Sequence, residues 1–328
     1  MPPRISVITP SYNQGEFLEE TILSVHGQNY PNFEHIVIDG DSKDNSIEII
    51  QHHKEKFSYW ISEPDKGQAD AINKGIAKSS GEILIWINSD DLLEPNALSK
   101  AANCFEKNPS AIMIHGKSIL FGNGTKNKII GEIQNEMKFR YLAYIPFPQP
   151  SSFFRRSLLE SSGVLDSSLT YGMDYELVVR AALNGEIIFC DEILSRYRLH
   201  PKSKTNQSLE FAIEWNKVFS KLLRSLPTST TLIQALTDCG FYQEGNDSFT
   251  IKRTYTSEDL KKVTLYHLLI QLHYHYNASK TKEVTQLCKL IRDLSPDFYE
   301  KNNLSSIYWK NKFINPGVID FFRKFTRD

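Results

Sequence analysis

The chain has 328 residues, enough for one large domain and a smaller one, and its 40% hydrophobic and 23% charged residues are typical of a folded globular protein. Its 38 basic and 39 acidic residues nearly cancel, which excludes a broad electrostatic attraction to nucleic acid, so we expect no nucleic-acid partner. The four cysteines lie far apart without a CxxC pair, which argues against a structural zinc site and a disulfide framework.

Short apolar runs alternate with helical patterns from the N-terminus onwards. The apolar runs predict strands, which are expected at residues 5–8, 33–38, 59–62 and 83–87. The segments between them predict helices, which are expected at residues 16–25, 47–56 and 69–77. This alternation predicts right-handed βαβ crossovers and a Rossmann-like, mainly parallel sheet flanked by helices.

The alternation loosens in the middle of the chain. A Gly-Asn-Gly run at residues 122–124 predicts a tight hairpin, because Asn-Gly readily adopts positive φ. A helical pattern at residues 174–183 and an apolar run at residues 187–190 predict a mixed, partly antiparallel extension of the same sheet.

The C-terminal third has a different pattern. Apolar residues recur at helical spacing in residues 211–223 and 284–294, so we expect mostly helices there. The predicted organisation is an α/β domain at residues 1–208 followed by a helical C-terminal extension at residues 209–328.

Polar residues follow the first two predicted strands at their carboxyl ends, where open parallel sheets bind ligands. These residues are Thr9, Pro10, Tyr12 and Asn13 after the first strand, and Asp39 and Asp41 after the second. An aromatic ring can stack on a base, and carboxylates can accept hydrogen bonds from a base or a ribose. A plain turn after the first strand, and capping of the next helix by Asp44 after the second, are the alternatives.

Two more polar clusters follow the third and fourth strands. Their members are Glu63, Asp65, Lys66, Gln68, Asp70 and Asn73, and then Ser89, Asp90 and Asp91. Charges at the edge of a buried sheet are costly unless they are paired or bound to a cation, and oxygen ligands suit Mg²⁺ or Mn²⁺. The alternative is that the two adjacent acids only start the helix after Pro95. Together, the four strand ends predict one site.

The motifs, in this order, resemble those of the family 2 inverting glycosyltransferases, which have the GT-A fold. They are Thr-Pro-Ser-Tyr-Asn, Ile-Asp-Gly-Asp-Ser, Ser-Glu-Pro-Asp-Lys-Gly, Asn-Ser-Asp-Asp and Gly-Met-Asp-Tyr-Glu, within residues 4–200. The resemblance implies an enzyme that moves a sugar from a nucleotide-diphosphate donor, a UDP-sugar by family habit, with Mg²⁺ or Mn²⁺. It also implies a saccharide or lipid-linked saccharide acceptor in cell-surface polysaccharide or glycolipid synthesis.

The same resemblance implies roles for single residues. Those expected around the nucleoside are Thr9, Tyr12, Asp39, Glu63 and Asp65. In the DxD-type motif, Asp90 would face the ribose and Asp91 would hold the metal. Many relatives carry two adjacent acids after the second strand, whereas Gly40 separates Asp39 from Asp41 here. Either acid is therefore a candidate for the contact with the base.

Two residues nearer the C-terminus complete the expected site. By the resemblance, Asp174 would be the general base for the acceptor hydroxyl, and the alternative is a helix N-cap. His200 follows a strand among cations and would reach the metal or the diphosphate, and a structural histidine is the alternative. The rival function is a non-catalytic sugar-nucleotide-binding module. A dinucleotide-dependent oxidoreductase is disfavoured because no GxGxxG follows the first strand.

The sequence also bears on localisation. It begins without a signal-peptide apolar region, and no apolar run reaches the ~20 residues that span a bilayer. We therefore expect a cytoplasmic enzyme that can visit the inner face of the membrane. The run at residues 318–325 pairs aromatic residues with cations, which suits peripheral membrane contact or docking on the main domain. The sugar, linkage and oligomeric state do not follow from the sequence.

Overall fold

The computed structural model describes residues 2–122, 124 and 126–313, and these fall into two compact units. The first comprises the residues up to 135 together with residues 145–201, and the second comprises residues 136–144 and those from 202 onwards. Part of the hairpin predicted at residues 122–124, and all of the run at residues 318–325, lie outside the described residues.

The first unit is built on a mixed sheet. Its strands are β1 (Ile5–Ser11), β2 (Phe33–Asp39), β3 (Tyr59–Ser62), β4 (Ile83–Trp86), β5 (Leu92–Leu93), β6 (Ala111–Phe121), β7 (Lys128–Ile130), β8 (Ser152–Arg155) and β9 (Glu186–Arg198). Their order is β3-β2-β1-β4-β8-β6-β9-β5, and β7 pairs with β6 off this path. Strands β1 to β4 pair in parallel, whereas β8 runs antiparallel to β4 and β6, and β5 runs antiparallel to β9. The prediction of a mainly parallel sheet with a partly antiparallel extension is confirmed.

Helices cover the sheet and form the second unit. Those of the first unit are α1 (Gly15–His26), α2 (Ser46–His52), α3 (Gln68–Lys78), α4 (Ala97–Lys107), α6 (Arg156–Ser162) and α7 (Met173–Asn184). Those of the second unit are α5 (Met137–Ala143), α8 (Ser208–Ser225), α9 (Thr230–Asp238), α10 (Ser257–Asn277), α11 (Thr281–Leu294), α12 (Pro296–Lys301) and α13 (Leu304–Phe313). Within the described ranges, none of these helices is long and apolar enough to cross a lipid bilayer.

Apolar layers on both faces explain why the first strands read as continuous hydrophobic runs. All seven residues of β1 are buried. On one face, α1 and α2 pack Leu18, Ile22 and Ile50 against Val37 of β2. On the other, helix α3 approaches so closely that a Cβ atom on Gly75 would lie 2.5 Å from Ile8 Cγ2. This packing on both faces fixes where the carboxyl ends of the strands lie, and with them the loops that follow.

The second unit includes one helix from the middle of the chain. Helix α5 belongs to it, and Glu136, which precedes α5, accepts hydrogen bonds from Lys262 Nζ (3.1 Å) and Tyr266 Oη (2.7 Å) of α10. The ring of His267 in α10 also hydrogen-bonds to the carbonyl oxygen of Ala143 at 2.9 Å. Sequence patterns do not indicate this grouping, because α5 lies within a segment that is otherwise rich in strands.

Candidate active site

The loops that follow β1, β2 and β3 meet at the carboxyl edge of the sheet. The Asn13 backbone N–H donates to Ser42 Oγ and Asn13 Oδ1 accepts from the Lys43 backbone N–H, both at 2.8 Å, so the first two loops are joined directly. A Cβ atom on Gly40 would lie 3.3 Å from Tyr12 Cδ2 and 2.6 Å from Asp65 Oδ2. The backbone of the second loop thus lies between an aromatic ring of the first and a carboxylate of the third.

Asp39 at the end of β2 is fully buried and links this strand by hydrogen bonds to the end of β3. Its Oδ1 accepts from Ser42 Oγ at 2.5 Å, and its Oδ2 accepts from the Ser42 backbone N–H at 2.9 Å and from Ser62 Oγ at 2.7 Å. Both of its oxygens therefore already have partners within the chain. Asp41 has positive φ (65°), is 41% exposed and pairs with Lys43 Nζ at 2.7 Å.

The third loop is held by its own carboxylates. Asp70 Oδ2 accepts from the Lys66 backbone N–H at 3.0 Å, and Asp65 Oδ1 accepts from that of Gly67 at 2.8 Å. Lys74 Nζ lies 2.8 Å from Glu63 Oε1, and the hydrogen bond that Lys74 donates to this carboxylate raises the pKa of Lys74. No described residue donates to the second oxygen of Asp65, which is the one that faces Gly40.

A side-chain bond joins the third loop to the fourth. Gln68 Nε2 donates to Asn88 Oδ1 at 2.7 Å, and Asn88 Nδ2 donates to Asp91 Oδ2 at 3.2 Å and to Gln149 Oε1 at 3.3 Å. Thr21 Oγ1 of α1 is 2.9 Å from the carbonyl oxygen of Ser89 and 2.8 Å from that of Asp91. These contacts hold the turn after β4 from both sides, so all four predicted polar clusters lie along one edge.

The two adjacent acids of the fourth loop have different surroundings. Asp91 is fully buried, and its Oδ1 accepts from the Arg198 backbone N–H at 3.0 Å while its Oδ2 accepts from Asn88. Burial, and then the neighbouring charge of Asp90, raises the pKa of Asp91 well above its usual range. Asp90 is 20% exposed, and its Oδ2 lies 2.9 Å from Nε2 of His200. Of the two carboxylates, that of Asp90 is therefore the one open to a ligand.

Strand β9 brings His200 to this loop. Its antiparallel pairing with β5 sets Arg196 opposite Leu92, so the end of β9 runs beside the acids that precede β5. The His200 ring also packs on Phe17 of α1, with ring centroids 4.8 Å apart. Arg198 Nε donates to the Asp90 carbonyl oxygen at 2.8 Å, which fixes the same corner. The ring of His200 is thus oriented by its neighbours.

The pair of Asp90 and His200 fits a divalent cation by its donor chemistry. One carboxylate oxygen and one imidazole nitrogen converge there, a set that suits Mn²⁺ better than Mg²⁺ because nitrogen is a softer ligand than oxygen. Among the residues that the structure describes, no group of three or more His, Cys, Asp or Glu side chains could hold a metal ion. Two protein ligands with phosphate oxygens of a substrate are, however, a common arrangement for such ions.

Three residues that were predicted to bind the nucleotide are buried in a strand or bonded to other parts of the chain. Thr9 is fully buried, with its Oγ1 2.9 Å from His35 Nε2, so its hydroxyl is not available at the edge of the sheet. Pro10 is buried within β1. Both polar atoms of the Asn73 side-chain amide bond to the backbone of Leu165. Nδ2 donates to the Leu165 carbonyl oxygen at 2.9 Å, and Oδ1 accepts from the Leu165 backbone N–H at 3.0 Å. We therefore leave these three residues out of the site.

Helix α7 carries the predicted base. Its N-cap residue is Gly172, so Asp174 lies within the first turn and is not the N-cap. Glu176, one turn before Arg180, forms a buried ion pair with it at 2.8 Å, and Arg180 also donates to the carbonyl oxygens of Ser162 (3.0 Å) and Val164 (3.2 Å). This network ties α7 to the segment after α6 and so fixes the start of the helix that presents Asp174.

One residue that the sequence analysis did not assign to the site lies at the end of β1. Ser11 is 4% exposed, and none of the described residues is a hydrogen-bond partner of its Oγ. It stands opposite Asp39 in the register of β1 and β2. A buried hydroxyl without a partner at a ligand-binding edge is a candidate contact for a ligand. Its position inside the Thr-Pro-Ser-Tyr-Asn run is the signal that could have indicated it.

Comparisons of the sequence identify a family and several relatives. Residues 6–162 match the family described as Glycosyl transferase family 2. An uncharacterized glycosyltransferase of Mycobacterium tuberculosis is 35% identical over 185 residues, which cover 55% of this chain and 70% of that protein. A Bacillus subtilis protein named for teichuronic acid biosynthesis, the glycosyltransferase TuaG, is 32% identical over 126 residues, covering 38% of this chain and 50% of that protein.

Comparisons of the structure identify the fold. The Staphylococcus aureus protein TarS, solved with UDP-GlcNAc, superposes with a TM-score of 0.58 at 16% identity, covering 89% of this chain and 80% of that chain. The mannosyltransferase PcManGT of Pyrobaculum calidifontis, solved with GDP-Man and Mn²⁺, has a TM-score of 0.60 at 16% identity, covering 94% of this chain and 81% of that chain. The predicted GT-A fold is confirmed.

Proposed function

The chain belongs to the family 2 glycosyltransferases, and on that premise we propose that it is an inverting enzyme that transfers a sugar from a nucleotide-diphosphate donor to an acceptor hydroxyl. The observation that carries the proposal is the convergence of four polar loops at one edge of the sheet, through the contacts of Gly40, Gln68 and Asp90. The acceptor is a saccharide, and the relation to TuaG supports a cell-surface polysaccharide.

The nucleoside of the donor is assigned to the first three loops. Tyr12 is 61% exposed and its ring can stack on a base. We assign the contact with the base to Asp65 rather than to Asp39 or Asp41. The unbonded oxygen of Asp65 occupies the space that a side chain at residue 40 would take, whereas both oxygens of Asp39 are already bonded and Asp41 pairs with Lys43. UDP is the proposed nucleotide, since TarS was solved with UDP-GlcNAc.

The diphosphate is assigned to the fourth loop, together with a divalent cation. We place the cation on Asp90 and His200 rather than on Asp91, because the two oxygens of Asp91 are buried and bonded to Arg198 and Asn88. When bound, the cation would neutralise the charge that builds on the departing diphosphate. Ser89 belongs to this loop and Gln68 borders it, so both are further candidates for contacts with the donor.

Asp174 is proposed as the general base. As the acceptor oxygen attacks the anomeric carbon, the Asp174 carboxylate takes its proton, and the bond from that carbon to the diphosphate oxygen breaks on the opposite face. The electron pair leaves with the diphosphate, so the configuration inverts. A carboxylate with a solution pKa near ~4 can do this because the proton moves while the new bond forms.

The substitution Asp174→Asn tests the base. We expect the transfer rate to fall by about 10²–10⁴-fold, while the affinity for the donor, measured by calorimetry, stays within about twofold. Asp191→Asn is the matched control, since Asp191 is a 78% exposed acid on β9 and should leave the rate unchanged. Transfer that survives in Asp174→Asn at near the normal rate would refute the assignment.

A second experiment separates the two acids. Asp90→Asn and His200→Gln should each raise the Mn²⁺ concentration required for half-maximal activity about tenfold or more. Asp91→Asn should lower thermal stability and leave that concentration unchanged, since its partners are the chain's own donors. A thermal-shift screen of UDP and GDP, each with and without Mn²⁺, then identifies the nucleobase of the donor. If Asp91→Asn alone alters the metal requirement, the cation belongs on Asp91.

A further inference from the structure

The second, helical unit contains an open cleft of about 470 Å³, and none of its lining residues belongs to the proposed donor site. It is bordered by α8, the end of α9, the segment that follows α9, the last turns of α10 and the first turns of α11. Its volume lies within the range of ~300–1,000 Å³ that is usual for small-molecule sites. All the lining residues belong to the second compact unit.

Three of the residues that line the cleft have a buried polar atom without a partner among the described residues. Asn216 of α8 is 5% exposed and Gln271 of α10 is fully buried, and no described residue donates to Asn216 Oδ1 or to Gln271 Oε1. Nδ1 of His275, one turn after Gln271, is the third such atom. Since a buried unpaired polar atom costs about 1–3 kcal/mol, three of them around one cleft indicate a missing ligand.

The gaps specify the chemistry of that ligand. Two amide oxygens can only accept, so the ligand must present hydrogen-bond donors to both. The Nε2 group of Gln271 donates to the Ala212 carbonyl oxygen at 2.9 Å, which fixes the orientation of the amide. Its oxygen therefore does not face the Ala212 carbonyl. Burial lowers the pKa of the His275 imidazole, so it is neutral at pH 7 and can pair with a hydroxyl.

The walls of the cleft combine apolar and charged groups. Phe241 is 5% exposed and packs edge-on against His275, with ring centroids 5.5 Å apart, and Ile213 is an exposed apolar side chain at 62%. The charged lining residues are Asp238, Lys282 and Glu283, so there is no cluster of cations for a phosphate among them. This combination favours a neutral molecule with several hydroxyl groups and an apolar face.

We propose that this cleft binds a neutral saccharide, with hydroxyl groups donating to Asn216 and Gln271. That the saccharide is part of the enzyme's own acceptor or product rests on the proposed function. The binding itself does not, because it requires neither the donor nor the transfer reaction.

Saturation-transfer NMR on the full chain, without nucleotide or metal, tests the proposal. The probes are neutral maltohexaose, cellohexaose and chitohexaose, with inorganic phosphate as the charged comparison. We expect saturation of at least one hexasaccharide. Asn216→Leu should weaken its binding about tenfold, the effect of one lost hydrogen bond near 1.4 kcal/mol, and Asn277→Leu, an exposed change on α10, should not.

The outcomes separate this proposal from the proposed function. Saturation lost in Asn216→Leu but kept in Asp174→Asn supports a saccharide site in the helical unit. No saturation of any hexasaccharide, or equal saturation in the normal chain and in Asn216→Leu, overturns it. Saturation abolished by Asp174→Asn would place the saccharide in the proposed catalytic site instead. Because Leu removes an amide oxygen that has no partner among the described residues, we expect Asn216→Leu to remain folded, which circular dichroism checks.

Discussion

The buried ion pair of α7 gives the sharpest stability prediction. Arg180 and Glu176 are 6% and 5% exposed, and Arg180 also donates to the carbonyl oxygens of Ser162 and Val164. Arg180→Met keeps most of the volume but leaves the Glu176 carboxylate buried without the positive charge of Arg180, which costs about 3–5 kcal/mol. For a unit of this size, about 2–4 °C of melting temperature are lost per kcal/mol, so we expect a fall of about 6–20 °C.

Urea unfolding and thermal melts of three variants check this reasoning. The double variant Glu176→Leu with Arg180→Met removes both charges, so it should recover at least half of the loss of the single variant. Glu82→Gln is the control, because Glu82 is 58% exposed in its pair with Arg155, and it should cost below about 1 kcal/mol. An Arg180→Met variant that loses less than about 1 kcal/mol, or a double variant that is less stable still, would refute the argument.

Three further predictions concern the packing of the first unit. Gly75→Ala should lower the free energy of unfolding by about 1–3 kcal/mol despite the better helix propensity of alanine, because the new Cβ would lie 2.5 Å from Ile8; unchanged urea unfolding would contradict this. Asn73→Leu should cost about 2 kcal/mol in the same assay, since both Leu165 backbone groups lose partners, and should leave donor affinity unaltered. Burial lowers the pKa of His26 from 6.5 to about 4, so as the pH falls this imidazole is protonated in the unfolded chain before it is protonated in the folded one. The free energy of unfolding should therefore decrease from pH 6.5 to 4. A free energy of unfolding that is constant over this range would contradict the prediction.

Local patterns were sufficient to predict that the polar loops after the first four strands lie along one edge of the sheet. Each of the first four strands is an apolar run that ends in polar residues, and parallel strands place their carboxyl ends at the same edge, so the loops carrying Tyr12, Asp65 and Asp90 were expected to meet. The contacts of Gly40 and Gln68 connect these loops in the structure. The first four strands and the edge at which their polar loops meet therefore follow from residues that are close in sequence.

The roles of individual side chains did not follow in the same way. Because β1 is buried on both faces, its apolar pattern does not indicate which face Thr9 joins, and the hydroxyl turns to His35. Asn73 lies on the correct helix, yet its partner is the backbone of Leu165, 92 residues away. Likewise, the pairing of Asp90 with His200 depends on the antiparallel contact of β5 with β9, which no local pattern specifies.

The separation between Asp90 and His200 has a consequence for biosynthesis. These two residues are 110 positions apart in the sequence, and the two-residue strand β5, which follows Asp90, pairs with β9. During translation, β1 to β4 can associate as soon as they emerge, but Asp90 lacks its partner until the segment ending at His200 has left the ribosome. Contacts between such distant segments form late because loop closure must precede them. A nascent chain that ends before β9 would therefore have the first four polar loops without His200, which is half of the proposed cation site.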